Sequence, residues 1–178
     1  FSFVKMDLEN REGMKSLFES GRFARVIHLA AQAGVRYSLE NPAADVHSNL
    51  LGFTTVMEAC RRRPPKHFVY ASSSSVYGQQ DGAWVDETSE TVAAGYSGRL
   101  MLEAEQVALN SGIPASVLRL TGIYGPGREW LLTQVRRGYR VAVDPPLYGN
   151  RIHADDAAGL LAFLLEKDRQ GVKLEDFY

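Results

Sequence analysis

The sequence has little of several features that mark particular classes of protein. It contains one cysteine in 178 residues, so no internal disulfide can form, which is typical of the reducing cytoplasm. No stretch approaches the roughly 18 apolar residues of a membrane-spanning helix, and no signal-peptide pattern is present. The net charge of −1 argues against nucleic acids and membrane surfaces, which need a diffuse positive field. We therefore expect a cytoplasmic protein without either partner.

Hydrophobic residues make up 45% of the sequence and charged residues 23%, the balance of an ordinary globular chain. Apolar, strand-like runs alternate with amphipathic, helix-like stretches. The pattern predicts strands over residues 1–6, 25–31, 66–71 and 115–120, with further candidates at 139–143 and 171–178. It predicts helices over residues 10–20, 43–62, 96–110, 129–137 and 154–167, and a glycine-rich loop over 121–128. This alternation indicates βαβ units and therefore an α/β fold with a parallel sheet.

The stretch KHFVYASSSSVYG, residues 66–78, joins an apolar run directly to four consecutive serines. Open parallel sheets bind ligands outside the carboxyl ends of their strands, so this strand end is a candidate site. A cluster of small residues also forms turns for purely structural reasons, and composition alone leaves both interpretations open.

Three segments together resemble the extended short-chain dehydrogenase/reductase superfamily: HLAAQAGVRYS at 28–38, SNLLGF at 48–53 and VYASSSSVYG at 69–78. The resemblance is closest to its NAD-dependent nucleotide-sugar epimerases and dehydratases, in particular UDP-glucuronate 4-epimerases. The later segments VLRLTGIYGPGR and NRIHADD are similar to an atypical branch with a degenerate active site. A natural mosaic, a recombinant or an engineered chimera would each combine the branches in this way.

The resemblance implies a Rossmann-like, doubly wound parallel sheet, truncated at its N-terminus. Residues 1–121 would form a partial NAD(P)-binding domain, and residues 122–178 part of the substrate lobe and a returning helix. The superfamily's phosphate-binding G-x-x-G-x-x-G turn is absent from the sequence. We therefore expect a segment before residue 1 to be missing, and weak cofactor binding unless that segment is supplied.

The cofactor implied by the resemblance is NAD, with NADP as the alternative, lying across the carboxyl edge of the sheet. The adenine is assigned to Asp7 and Leu8. The remaining cofactor-binding residues implied by the resemblance are Leu29, Ala30, Ala31, Gln32, Asn49, Ala71 and Ser72. Small side chains such as Ala30 and Ala31 would let a flat cofactor approach the backbone, although close packing explains them equally well.

The family's chemistry is hydride transfer with a tyrosinate as general base. A lysine one helical turn later lowers the tyrosine pKa, and a Ser or Thr hydroxyl polarises the reacting oxygen. The register of the Val-Tyr-Gly tripeptide at 76–78 places Ser73 at that hydroxyl position. The same register places Ser75 at a substrate-contacting hydroxyl.

The tyrosine–lysine pair, Y-x-x-x-K, is not intact in this sequence. Tyr96 has Leu100 at i+4, whereas a register set by the RLMLE segment puts Arg99 at the lysine position and Gly95 at the tyrosine position. Tyr96 and Arg99 are still neighbours at i and i+3, so both are candidate catalytic residues. Arginine does not replace lysine without consequence, and a surface tyrosine at a helix start is the competing interpretation.

The resemblance also implies three candidate substrate-binding residues, since guanidinium groups suit carboxylates and phosphates: Arg36, Arg128 and Arg151. Simple exposure to solvent is the competing interpretation for Arg36 and Arg128, and Arg151 lies near but not at the family's phosphate-binding arginine. The resemblance places Thr121 and Gly122 where epimerases have an aromatic residue and a substrate-contacting asparagine, so we expect that substrate contact to be lost. The four histidines show no metal-ligand spacing, so no metal site is predicted.

The sequence thus predicts an NAD-dependent nucleotide-sugar epimerase/dehydratase-like protein, of the UDP-glucuronate 4-epimerase type, that converts a UDP-sugar through a 4-keto intermediate. Two alternatives stay open: a non-catalytic nucleotide-binding or scaffold protein, and a truncated or chimeric fragment without activity. The helices predicted over 43–62 and 97–110 match the pair through which family members dimerise, which indicates a homodimer. Packing of their apolar faces against the sheet is an equally good interpretation of the same pattern.

Overall fold

The computed structural model describes residues 2–30, 50–78, 82–93, 95–140, 144 and 148–178. Four residues with predicted ligand contacts lie outside the described ranges: Ala31, Gln32, Arg36 and Asn49. Their roles stay predictions, as does the helical character of residues 43–49.

Helices and strands alternate along the described ranges. The helices are α1 (Arg11–Gly21), α2 (Gly52–Arg62), α3 (Tyr96–Leu109), α4 (Trp130–Arg136) and α5 (Ala154–Arg169). The strands are β1 (Arg25–His28), β2 (His67–Ser73), β3 (Ala115–Leu120), β4 (Gly122–Tyr124) and β5 (Arg151–His153). A short 3-10 helix, Ser74–Tyr77, follows β2 directly. None of the described helices is both long enough and apolar enough to cross a membrane.

The central sheet is parallel, with β2 between β1 and β3. Val26 lies opposite Phe68, and Ser73 at the end of β2 lies opposite Leu120 at the end of β3. The last residues of the chain form a short parallel bridge beside β3. The Val117 N–H donates to the Asp176 carbonyl at 2.8 Å, and the Tyr178 N–H donates to the Val117 carbonyl at 2.9 Å. Strands β4 and β5 form a second, two-stranded parallel sheet.

Helices cover both faces of the central sheet. On one face, helices α1, α2 and α3 bury a core that includes Phe18, Phe53, Phe68, Ala108 and Val117. On the opposite face, α5 buries a smaller core of Val69, Leu118, Leu164 and Leu174. Every strand of this sheet is therefore buried on two sides, as apolar runs such as 115–120 indicate. This arrangement confirms the predicted doubly wound α/β fold.

The amino edge of the central sheet is tied to the end of α5. Arg25, the first residue of β1, forms an ion pair with Asp168 in the last turn of α5. The segment after residue 121 therefore contributes a helix to the core of the segment before it. The proposed domain division at residue 121 stays a prediction, although the chain does pass from the first sheet to the second at Thr121.

Two of the sequence-based assignments were wrong in detail. Residues 2–6 alternate like a strand but lie in neither helix nor strand, and Phe3 and Val4 are exposed. A strand needs a hydrogen-bonded neighbour, and the described residues supply none for this segment. The loop predicted over 121–128 contains β4, because Gly122 pairs with Arg151. At the candidate strand 139–143, the described residues 139 and 140 lie in no strand.

A buried histidine lies within the first core. The His28 ring, 5% exposed, packs 5.4 Å from the Phe53 ring and 6.0 Å from the Tyr70 ring, measured between centroids. Burial lowers the pKa of His28 to about 4, because charging the ring there would require water that the aromatic side chains exclude.

We expect His28 to make stability depend on pH. Between pH 6.5, the ordinary pKa of histidine, and about pH 4, the unfolded chain binds a proton that the native chain does not. The free energy of unfolding therefore has its full value above pH 6.5 and falls as the pH is lowered below it. The limiting slope is about 1.4 kcal/mol per pH unit. Urea unfolding of His28→Asn should show a shallower slope than the wild type over this range, with His153→Asn as the control. Equal slopes in His28→Asn and the wild type would refute this role.

Candidate functional site

The carboxyl ends of the three central strands meet at one edge of the sheet, because the strands are parallel. This edge carries the predicted residues Leu29 and Ala30 after β1 and Ser73 at the end of β2. It also carries Thr121, which follows β3 directly. Ligands of open α/β sheets bind at such an edge, so the fold brings these predicted residues to the expected side of the sheet.

The four serines form the turn that leaves β2. Ser73 is extended, with φ −136° and ψ 143°, and its hydroxyl oxygen accepts from the Ser75 N–H at 3.2 Å. The hydroxyl hydrogen has no acceptor among the described residues, so it can donate to a ligand. Val76 and Tyr77 are buried and anchor the turn, which closes at Gly78 with a left-handed φ of 64°.

A buried charge network lies beneath this turn. Glu105 of α3 is 0% exposed and pairs with Arg119 of β3, with 2.8 Å between Oε2 and Nη2. Ser72 donates its hydroxyl hydrogen to the other carboxylate oxygen, Oε1, at 2.5 Å. Arg119 also donates through Nη1 to the Tyr77 hydroxyl oxygen at 3.1 Å. The network therefore holds the residues on either side of the segment 73–76.

The network changes what can be expected of Ser72. The sequence predicts Ser72 as a cofactor contact, but its side chain is buried and its hydroxyl is bonded to Glu105. Only its backbone is left for the predicted contact. Sequence analysis missed Glu105 and Arg119, although a charged residue inside the apolar strand 115–120 is a signal, since buried charges need partners.

Helix α3 approaches the serine turn through a glycine. A Cβ atom on Gly98 would lie 3.0 Å from the Ser75 carbonyl oxygen and 3.0 Å from the Ala93 Cβ, closer than side chains ordinarily pack. The missing side chain thus permits the close approach of the first turn of α3. This turn carries Tyr96, which is 50% exposed, and Arg99, which is also exposed. The fold therefore puts both candidate catalytic residues on the turn that contacts the serines.

The predicted cofactor contacts differ in their exposure. Leu29 is 60% exposed and Ala30 is exposed, so both offer accessible surface at the carboxyl end of β1. Asp7 is exposed and one of its carboxylate oxygens accepts from the Glu9 N–H at 2.9 Å. Leu8 packs against the first core, and Ala71 is half-buried within β2. The side chains of Leu29, Ala30 and Asp7 are thus reachable by a ligand.

Two of the predicted arginines lie on or beside the second sheet. A Cβ on Gly122 would lie 2.6 Å from the Arg151 Nη1 atom, so the guanidinium of Arg151 occupies the space that a side chain at 122 would fill. Arg128 is exposed and ends a tight turn in which its N–H donates to the Gly125 carbonyl at 2.8 Å. Both cations are accessible to an anionic ligand.

A second group of polar residues resembles a hydrolytic triad but cannot act as one. The His67 Nε2 atom lies 3.0 Å from the Ser116 hydroxyl oxygen, and its Nδ1 lies 3.9 Å from an Asp168 carboxylate oxygen. Ser116 is 0% exposed and donates its hydrogen to the Glu175 carbonyl at 2.6 Å. A nucleophile must reach its substrate. This group instead joins the amino ends of the strands to α5.

Comparison with known proteins shows the family to which the chain is similar. A profile of the NAD dependent epimerase/dehydratase family matches residues 2–178. UDP-glucuronate 4-epimerase 3 of Arabidopsis thaliana is 39% identical over 129 residues, which are 69% of this chain and 30% of that protein. The chain therefore spans less than half the length of this relative.

Solved structures share the fold of the chain. The UDP-glucose 4-epimerase from Thermus thermophilus, solved as a complex with NAD, has a TM-score of 0.77 at 25% identity, covering 97% of this chain and 61% of that one. The UDP-glucose 4-epimerase from Thermotoga maritima, solved with UDP-glucose, has a TM-score of 0.67 at 26% identity, covering 90% and 58%. The chain thus has the Rossmann-like fold of these epimerases.

We expect Glu105→Gln to destabilise the protein by about 3–5 kcal/mol, because it leaves the Arg119 guanidinium buried without its counter-charge. The matched control is Glu103→Gln on the exposed side of the same helix, which should stay within about 0.5 kcal/mol of the wild type. Urea unfolding measures both. The double variant Glu105→Gln/Arg119→Met should recover part of the loss, since no unpaired charge is left. Equal stability of Glu105→Gln and Glu103→Gln would contradict the role given to the pair.

Proposed function

The chain belongs to the NAD dependent epimerase/dehydratase family, and on that premise we propose that it acts on a nucleotide sugar with NAD as cofactor. We further propose that it catalyses the reaction of a UDP-glucuronate 4-epimerase, the enzyme for which the Arabidopsis relative is named. The observation that carries it is the Ser73 hydroxyl, whose oxygen accepts from Ser75 and whose hydrogen is left to donate at the carboxyl edge of the sheet.

The exposed residues at this edge fit a nicotinamide cofactor. Leu29 and Ala30 offer accessible apolar surface at the end of β1, and Asp7 offers an exposed carboxylate that can accept from an adenine amino group. When bound, NAD supplies a reversible hydride acceptor for C4 of the sugar, which is the chemistry of a 4-keto intermediate. NADP is the alternative cofactor, and parallel thermal-shift titrations with NAD and NADP separate the two.

The first turn of α3 and the serine turn supply the proton chemistry. Ser73 donates a hydrogen bond to the sugar C4 oxygen and so polarises the reacting C–O bond. Tyr96 accepts the C4 hydroxyl proton as general base, and Arg99 contributes a positive charge one turn further along the helix. Gly98 makes this arrangement possible because it lets the turn approach Ser75.

Substrate binding is assigned to residues around the serine turn and the second sheet. Ser75 is exposed beside Ser73 and can contact a sugar hydroxyl. Arg151, held over Gly122, and the exposed Arg128 can pair with the diphosphate or the carboxylate of a UDP-sugar. Arg36 has the same proposed role.

A non-catalytic nucleotide-binding protein is the second candidate. The spacing of Tyr96 and Arg99 favours it, because Leu100 stands where Y-x-x-x-K has its lysine. A homodimer also remains a proposal. The apolar faces of α2 and α3 are buried in the first core, so dimerisation would use their outer sides.

We expect UDP-glucuronate to stabilise the wild-type protein in thermal-shift titrations, and NAD to stabilise it weakly, because the phosphate-binding turn is absent from the sequence. Calorimetry should detect both ligands. Turnover should fall by a factor of about 100 or more in Ser73→Ala and Tyr96→Phe, because each removes a group that moves or holds a proton. Ser74→Ala, in the neighbouring residue, is the matched control. Binding without turnover would support the non-catalytic candidate, and unchanged turnover in both site variants would refute the catalytic assignments.

The position of Arg151 leads to a separate prediction. Gly122→Ala places a methyl group where Nη1 lies, so the guanidinium must move, and affinity for UDP-glucuronate should fall about as far as in Arg151→Ala. A tenfold loss corresponds to about 1.4 kcal/mol. Gly149→Ala is the matched control, since a Cβ at Gly149 meets no atom of the described residues within 4 Å. Wild-type affinity in both Gly122→Ala and Arg151→Ala would exclude Arg151 from the site.

A further inference from the structure

The segment 174–178 packs beside β3, the strand that carries the guanidinium of the buried network. Phe177 lies opposite Val117 in a parallel bridge, and the Arg119 N–H donates to the Tyr178 carbonyl at 2.8 Å. Alternate side chains of an extended chain point to the same face of a sheet. The side chains of Phe177, Val117 and Arg119 therefore share the face that is covered by the first core.

The guanidinium of Arg119 lies against two aromatic rings. Its Cζ atom is 4.3 Å from the centroid of the Phe177 ring and 5.1 Å from the centroid of the Tyr77 ring. The Arg119 side chain is 7% exposed, and its partner Glu105 is fully buried. The Phe177 ring thus attracts the cation through its π face and shields the ion pair from water, which strengthens the attraction between the two charges.

We propose that Phe177 is a positioning residue of the candidate site. Through Arg119, which bonds to Glu105 and to the Tyr77 hydroxyl, the ring fixes both ends of the serine turn. Docking of Phe177 is thereby coupled to the order of that turn. The coupling is a property of the fold, whereas its consequence for catalysis, the placement of the Ser73 hydroxyl, rests on the proposed function.

Hydrogen exchange followed by mass spectrometry tests the coupling without requiring turnover. Phe177→Leu keeps an apolar side chain but removes the ring. In this variant the amides of residues 72–78 should exchange about fivefold faster than in the wild type, as expected for the loss of one guanidinium–ring contact. Exchange in β1 should stay at the wild-type rate. Phe177→Tyr keeps the ring, so its exchange at 72–78 should lie within about twofold of the wild type.

Leu109→Ala is the matched control, because it shortens an apolar side chain that packs on the same core at the end of α3 away from the serine turn. It should lower global stability and leave exchange at 72–78 unchanged. A second test starts from the double variant Glu105→Gln/Arg119→Met. There, Phe177→Leu should cause no further change at 72–78, because the residue through which the ring acts has been replaced.

Wild-type exchange at 72–78 in Phe177→Leu would overturn the proposal. Equally faster exchange in β1 and at 72–78 would also overturn it, as would faster exchange at 72–78 in Leu109→Ala. In each of these cases Phe177 would only fill the core, without a specific connection to the serine turn.

Turnover of UDP-glucuronate separates this inference from the proposed function. In Phe177→Leu, kcat should fall about fivefold at unchanged KM, because Ser73 acts on the reacting bond, and Phe177→Tyr should keep the wild-type kcat. A change in KM alone would overturn the placement of Ser73 by Phe177. Failure of the wild-type protein to turn over UDP-glucuronate would overturn the proposed function, and the exchange rates would still decide whether Phe177 orders the serine turn.

Discussion

A carboxylate and a guanidinium that are both withdrawn from water hold the candidate site together. Glu105 and Arg119 come from a helix and a strand, and their hydrogen bonds to Ser72 and Tyr77 add the two ends of the serine turn. A buried ion pair contributes little net stability, since desolvation offsets most of the attraction. The pair does, however, raise the free energy of any conformation in which one of the two charges is buried without the other. The position of Ser73 therefore depends on a buried charge network between a helix and a strand.

The sequence predicted those parts of the fold whose pattern depends on local burial. The run 115–120 is a strand whose side chains point alternately into the two cores on either side of the sheet. A continuous apolar run fits this position because both faces of the strand are buried. Asn10 begins α1 by accepting from the Gly13 N–H at 2.9 Å, a start signal that can be read directly from sequence. Residues 2–6 show the limit of this reasoning, because alternation does not reveal whether a neighbouring strand is present.

Some residues of the candidate site could be predicted from the sequence and others could not. Ser73 and Ser75 could be identified because they follow an apolar run within a short segment. Glu105 could not, since it looks like one more surface charge on an amphipathic helix until Arg119 is known to lie against it. Gly98 looks like a poor helix former, and only the nearby Ser75 carbonyl explains it. Such contacts join residues distant in sequence, and periodicity carries no information about them.

The ion pair between Arg25 and Asp168 joins residues 143 positions apart, from the first strand and the last helix of the described fold. Contacts of such long range are formed only after the entropy of closing a large loop has been overcome, which slows folding. During synthesis, β1 to β3 can be assembled before α5 is available to cover their second face. Val69 and Leu118 would be exposed in that interval, which makes the nascent chain prone to aggregation until α5 is in place.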